Sequence, residues 1–226
     1  MCFSAEASFG ASAVLGTIAI ASVAKAKTTP QRLFAIIPLL FAVQQLSEGM
    51  LWLSLKDPDL EAWQQFFTYT FLGFAMLVWP VWIPLTVWLL EKDKKRKKKT
   101  GVLLIAGSVV FTGIACVLWM YKVKVIPTHH HLHYEFDFPA KPGTGIVIFS
   151  LLYFMATIGA PFISSIKRMK WLGISFAASY LFAVTFYSGF VVSVWCFFAA
   201  LLSILVVWIL SGLNKTGEQP KPFALN

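Results

Sequence analysis

The sequence predicts an all-α integral membrane protein, a bundle of seven transmembrane helices with its N-terminus outside and its C-terminus in the cytoplasm. Three observations carry this. Of 226 residues, 58% are hydrophobic and only 13% are charged, where a soluble domain carries roughly a quarter charged. The charges are bunched between apolar stretches of roughly 17–25 residues, each enough to cross a hydrocarbon core of about 30 Å. Most basic residues fall on alternate connections, as the positive-inside rule requires.

The first apolar run, 7–24, has no basic front end and no A-x-A-like site after it, so it reads as a span rather than a cleavable signal. The second covers 33–55 and holds the polar stretch VQQLSEGMLW. The third, 66–90, contains Pro80 and Pro84, which should kink it or end its regular part early. The fourth covers 101–121, after the basic run EKDKKRKKK, and the fifth covers 145–164 with Pro161 near its end. The last two, 171–188 and 190–211, are separated only by Gly189 and predict a tight helical hairpin. Spanning strands would be about 10 residues of alternating pattern, and these runs are too long and too uniformly apolar for that. Residues 1–212 thus read as one membrane domain. Residues 213–226, ending in NKTGEQPKPFALN, read as a disordered cytoplasmic tail.

Fifteen of the 19 Lys and Arg lie in 25–32, 91–100, 164–170 and the tail. That places those segments inside and the protein in a bacterial plasma (inner) membrane. The net charge of +9 does not point to nucleic acid. The basic residues at 92–99 sit between two spans and read as topology determinants that meet anionic lipid headgroups. Three cysteines are too few for a disulfide scaffold, and their odd number leaves at least one thiol free.

The polar oddities fall at one depth. Gln44 and Glu48 are four apart and share a helix face. Counted from the outer end of its span, Glu48 lies about 10 Å deep, where an unpaired carboxylate is costly. Its plain reading is a hydrogen-bonded Glu that glues helices, and its functional reading is a ligand or general base. Cys196, after Trp195 in FVVSVWCFFAA, lies at nearly the same level on the seventh span. Alone, these two read as a small buried hydrophobe and an interfacial aromatic. Thr185, Tyr187, Thr68, Tyr69 and Thr70 belong to the same layer.

The longest connection, PTHHHLHYEFDFP, carries every histidine of the chain: His129, His130, His131 and His133. Imidazoles next to Glu135 and Asp137 suit zinc, copper or iron, although a solvated loop that takes metal adventitiously fits as well. The alternation in HLHYEFDF predicts an extended segment over the bundle, with His131, His133, Glu135 and Asp137 on one side and Leu132, Tyr134, Phe136 and Phe138 on the other. With the N-terminus outside, Cys2 and Glu6 enter at the same mouth. Removal of the initiator Met would give Cys2 both an amine and a thiol.

The stretches MCFSA, QQLSEGMLW, HHLHY and SVWCFFAA together resemble a family of small bacterial multi-pass membrane proteins known only as a domain of unknown function. That resemblance covers nearly the whole chain and implies a seven-helix membrane protein, with no activity, substrate or cofactor attached. A weaker similarity is to seven-span zinc hydrolases such as the alkaline ceramidases. Those carry an H-x-x-x-H pair in a late helix, whereas the seventh span here has no histidine, so the same mechanism is not expected.

The expected function is therefore a metal-binding or polar site at the extracytoplasmic mouth. His130, His131 and His133 are the candidate ligands of a transition metal (Zn, Cu or Fe), and Glu48 and Cys2 are the candidate catalytic groups. Gln44, Tyr134, Trp195 and Cys196 are the candidate ligand contacts. Use as an enzyme on a lipid or small molecule stays open beside a non-catalytic sensor or binding module. An accessory subunit, as part of a homo-oligomer or larger membrane complex, is a further alternative. A transporter is disfavoured, because the inner halves of the spans hold few polar residues beyond Ser203, Ser108 and Thr86.

Overall fold

The computed structural model describes residues 4–128, 131–137, 144–187, 190–191 and 198–215. Helix α1, Ala5–Lys25, begins at Ser4, whose hydroxyl accepts the Ala7 N–H at 3.2 Å and so caps a free donor of the first turn. Its buried residues Ala5, Ser8, Leu15, Ala19 and Ser22 follow the spacing of a helix–helix seam. That seam lies against α3, Ile37–Ser54. Gly49 admits the Phe9 ring, since a Cβ there would lie 2.7 Å from Phe9 Cε1. Ser12 Oγ donates across the seam to the Ala42 carbonyl at 2.8 Å.

The second run starts earlier than expected and in two pieces, α2 at Thr29–Ala35 and α3, joined at Ile36. Pro38 in the first turn of α3 lacks the N–H that would continue the ladder, so the break falls just before it. Thr28 caps α2 through the Gln31 N–H at 3.4 Å.

In the third run the prolines widen the helix rather than end it. A 3₁₀ turn, Pro58–Trp63, leads into α4, Gln64–Leu72, then a π-helical segment, Gly73–Val78, and then α5, Trp79–Leu90. In an i→i+5 pattern the Ala75 carbonyl would look to residue 80, which is a proline without an N–H. The Tyr153 hydroxyl donates to Ala75 O instead, at 2.7 Å. Pro84 likewise removes the i+4 donor for Pro80 O, and Gly107 of the next helix packs against that carbonyl. A second π-helical segment, Met155–Gly159, again precedes a proline, Pro161. It joins α7, Thr144–Phe154, to α8, Ala160–Ile163.

Helix α6, Lys94–Met120, takes in most of the basic run that the sequence suggests as a loop. Asp93 caps it by accepting the Arg96 N–H at 2.8 Å. Helices α9, Met169–Phe186, and α10, Ala199–Lys215, complete the bundle. Helix α10 runs past residue 212 because Leu213 is buried in the core. The expected turn at Gly189 and residues 192–197 of the expected seventh span lie outside the described residues.

Five helical stretches are long and apolar enough to cross a membrane: Ala5–Lys25, Thr29–Ser54, Pro58–Leu90, Lys94–Met120 and Met169–Phe186. Val147–Ile163 and Ala199–Asn214 are shorter apolar helices. Together they suggest a helical membrane protein. The main core joins Phe34, Ile37, Trp79, Ile83, Leu172 and Val206.

One departure from an all-α chain is an antiparallel hairpin of β1, Val123–Thr128, and β2, His131–Phe136, with Val125 opposite Tyr134 and Thr128 opposite His131. The extended segment expected at 131–137 is thus a paired strand. Its partner VKVIPT carries the same period-2 signal in a shorter form.

At the opposite end of the bundle, Glu91 joins two connections. Its Oε1 accepts from the Asp93 N–H at 2.9 Å and from Ser165 Oγ at 2.6 Å, and its Oε2 accepts from the Ser165 N–H at 2.6 Å. Arg96 adds two bonds, from one guanidinium nitrogen to the carbonyls of Ile163 and Ser164, both at 3.0 Å. Burial alone would raise the Glu91 pKa, but the bonds from Ser165 and Asp93 outweigh it and hold the carboxyl below its ordinary value. A lowered pKa means that this stabilisation is complete above the ordinary glutamate value of 4.5 and is lost as pH falls through the lower folded value. Glu91→Ala is expected to cost about 2–3 kcal/mol, read by thermal unfolding in detergent. Glu91→Gln should also flatten the acid limb of the stability profile. An acid limb identical to that of the native chain would refute the role given to this carboxylate.

Candidate functional site

Helix α3 leaves one face open at Leu39, Val43 and Leu46, while Gln44, Gln45, Ser47, Glu48, Leu51 and Trp52 are buried. Its polar residues therefore have to be satisfied inside the protein. Gln44 points towards α5, where its Oε1 accepts the Trp79 indole N–H at 3.0 Å. The Trp79 ring is held by stacking on Phe41, with centroids 4.0 Å apart. One residue on, Gln45 donates its amide N–H to Glu48 Oε2 at 3.2 Å. Glu48 is 0% exposed. Ser47 does not join them, because its hydroxyl turns back to the Val43 carbonyl at 2.9 Å.

About one helical turn, or roughly 5 Å, beyond Glu48, Leu51 and Trp52 meet the hairpin. They cluster with Ala5 of α1 and with Val125 and Leu132 of the two strands. The hairpin thus roofs the α1–α3 end of the bundle. Strand alternation divides its side chains as the sequence predicts. Leu132 is buried, Tyr134 stacks on Phe71 of α4 at 5.4 Å, and Phe136 packs on the same cluster. On the other face, the His131 ring lies 4.7 Å from Phe190 and 5.4 Å from Tyr187, and His133 lies 6.1 Å from Phe190.

The structure therefore groups the expected site residues in three sets. Gln44 and Glu48 share one buried stretch of α3 with Gln45. His131 and His133 share one face of the roof against the end of α9. Tyr134 faces the other way, into α4, because it stands at an odd offset from both histidines. Cys2, His130, Trp195 and Cys196 lie outside the described residues. Among the described residues no three His, Cys, Asp or Glu side chains stand close enough to hold a metal ion.

The hydroxyls of the same layer are engaged locally. Thr68, Thr70 and Thr185 each bond the carbonyl four residues back at 2.7–2.8 Å, and Tyr69 reaches Tyr121 O at 3.5 Å. Two residues that sequence reasoning passed over belong to the site. Trp79 fixes Gln44, which only packing of α3 on α5 could reveal. Ser8 lies on the buried seam of α1, and its place in the three- and four-residue repeat with Ala5, Ser12 and Leu15 was a readable signal.

A family model described as a family of unknown function, DUF6629, matches residues 1–220. The chain belongs to this family. The matched range includes the four stretches MCFSA, QQLSEGMLW, HHLHY and SVWCFFAA. No curated protein and no solved structure matches the chain. What this DUF6629 chain can do chemically must come from the arrangement itself. An acid enclosed in an apolar helix bundle can hold a cation or carry a proton. The roof above it adds imidazoles that are only partly enclosed.

Proposed function

We propose that this protein spans the plasma membrane seven times, with its N-terminus outside, and that its outer mouth binds a ligand beneath the histidine hairpin. The observation that carries this reading is the fully buried Glu48 carboxylate one turn below the roof. A carboxylate is expensive in a bundle interior and marks a functional site when it lies under an accessible cap of ligating groups. A transition metal held by His130, His131 and His133 is the proposed occupant, with Cys2 as a further ligand or nucleophile. Gln44, Trp195 and Cys196 are proposed as further ligand contacts, while Tyr134 holds the hairpin on α4 through Phe71. Glu48 acts as acceptor or general base, and the substrate class is a lipid or small molecule.

The topology is supported at the inner end. Lys97 lies 4.5 Å over the Trp88 ring, Arg168 lies 4.4 Å over Trp208, and Lys170 lies 6.0 Å from Trp171. Aromatic rings under cationic side chains suit a headgroup layer, as does Lys56, 6.0 Å from the Trp52 ring at the other end. Trp119, 91% exposed at the other end of α6, suits the outer interface. The basic residues around 92–99 would meet anionic lipid there.

Elemental mass spectrometry on gently purified protein tests the metal. Near-stoichiometric zinc, copper or iron is expected, and it should be absent from the His130→Ala/His131→Ala double variant. Metal-free native protein would end the metal reading.

A further inference from the structure

Helix α6 carries two stripes that differ in what they meet. Its buried residues Thr100, Leu103, Gly107 and Val110 recur every three or four positions, and Gly107 packs on Pro80 and Ala156. A second stripe, Val102, Ile105, Val109 and Cys116, is exposed. In a helix that crosses the membrane, an exposed apolar stripe faces lipid.

The basic turns that precede these stripes continue both of them. Arg96 and Lys97 stand four and three residues before Thr100, on the buried side. Accordingly, Arg96 donates to the Ile163 and Ser164 carbonyls at 3.0 Å, and Lys97 lies 4.5 Å over the Trp88 ring. Lys94 and Lys98 stand eight and four residues before Val102, so they extend the lipid stripe, with Lys95 and Lys99 beside them. All four are exposed, and none has a hydrogen bond or ion pair among the described residues. The acids of the same connection are engaged elsewhere. Asp93 accepts the Arg96 N–H and Glu91 accepts from Ser165.

This arrangement is electrostatically costly by itself. Lys94 with Lys98, and Lys95 with Lys99, are like charges one turn apart, which destabilises a helix. Cations in the first turn also oppose the positive end of the helix dipole. An anion relieves both costs, and position selects its kind. Lys98 stands one turn, roughly 6 Å, outside Val102, within a headgroup layer of roughly 5–8 Å per leaflet. A row that extends the lipid stripe meets headgroups before it meets a soluble partner.

We propose that Lys94, Lys95, Lys98 and Lys99 form a docking face for the phosphodiester headgroups of anionic phospholipids in the cytoplasmic leaflet. Arg96 and Lys97 tie the same turns to residues 163–164 and to α5, so bound lipid braces this end of the bundle. The proposal rests on reading α6 as a span that starts inside. It uses neither Glu48 nor the histidines.

The test uses the full chain in a non-ionic detergent, titrated with short-chain phosphatidylglycerol or phosphatidylcholine while thermal unfolding is followed. A saturable rise of a few degrees is expected with phosphatidylglycerol and not with phosphatidylcholine, because a ligand that binds the folded state stabilises it. The rise should weaken as salt is added. The variant Lys94→Gln/Lys95→Gln/Lys98→Gln/Lys99→Gln should need at least about tenfold more phosphatidylglycerol, since each lysine near an anionic surface contributes about fivefold. Without lipid this variant should unfold no earlier than the native chain, because the like-charge repulsion is gone. Lys25→Gln/Lys27→Gln/Lys167→Gln/Lys170→Gln removes as much charge from the same end and should keep the response. Equal rises in both lipids, an unchanged response in the first variant or an equal loss in the second would each overturn the proposal. A rise of the same size with inorganic phosphate would assign the lysines to a soluble anion and overturn it too. Labelling of Lys98→Cys by an impermeant maleimide in intact cells, with the native cysteines replaced by serine, separates this proposal from the topology. Labelling only after lysis, without a lipid preference, ends the proposal alone. Labelling from outside ends the inside assignment on which it rests.

Discussion

Gly107→Ala is expected to be among the most damaging single-methyl changes in the protein. Helix α6 crosses the third run where the Pro80 carbonyl lacks its i+4 donor, because residue 84 is also a proline. A Cβ at Gly107 would fall on Pro80 O, with the Pro80 carbonyl carbon at 2.7 Å and the Ala156 Cβ at 3.4 Å. The obstacle is backbone, which has no rotamer to move to. Relief would require α5 and α6 to separate, and close approach of small residues is what holds membrane helices together. Overpacking of this kind costs about 3 kcal/mol or more, enough to threaten a marginally stable fold. The measurement is the thermal midpoint together with the monomer fraction by size exclusion. Gly16→Ala is the control, since nothing lies within 4 Å of a Cβ there. It should be neutral or slightly stabilising, because alanine favours the helix over glycine. If the two variants behaved alike, the close α5–α6 crossing would be wrong.

Glu48→Gln should produce the largest functional loss with the smallest structural one. Glutamine keeps the shape, and its side-chain oxygen can still accept the Gln45 amide, so the bundle should remain folded. The negative charge is gone, however, and with it the interaction that favours a cation or proton. Losing a charged partner in a buried site costs about 3 kcal/mol, or roughly 100-fold in affinity. That loss should show in ligand binding at the outer mouth. Glu48→Leu provides the contrast, because it leaves the Gln45 N–H donor, 3.2 Å from Glu48 Oε2, without this acceptor. It should destabilise by about 1–3 kcal/mol. A Glu48→Gln protein with unchanged ligand binding would reduce Glu48 to a hydrogen bond between helices.

Much of the fold was legible along the chain. Long uniformly apolar runs with bunched charge give spanning helices, because lipid offers the backbone no partner and only internal hydrogen bonding is tolerated. The limits of those helices were less legible. The run EKDKKRKKK reads as a loop, yet Asp93 caps a helix that begins at Lys94, since lysine and arginine favour helix once a cap satisfies the first turn. Pro80 reads as a kink or stop. The structure resolves it into a π-helical turn because Tyr153, 78 residues away, supplies the missing donor to Ala75 O.

The candidate site divides in the same way. The sequence by itself determined that Glu48 lies deep in a helix with Gln44 on its face, and that His131 and His133 alternate with Leu132 and Tyr134. Each follows from a local period, 3.6 residues in a helix and 2 in a strand. Only the tertiary structure decided what those faces meet. It set Gln44 against Trp79, Tyr134 against Phe71 and His131 against Phe190, and it enclosed Ser8 Oγ and Gln45 Oε1 without hydrogen-bond partners among the described residues. Periodicity fixes the direction in which a side chain leaves its own backbone. Its partners are fixed by packing between segments far apart in the chain, where close approach at Gly49 and Gly107 sets which helices can touch.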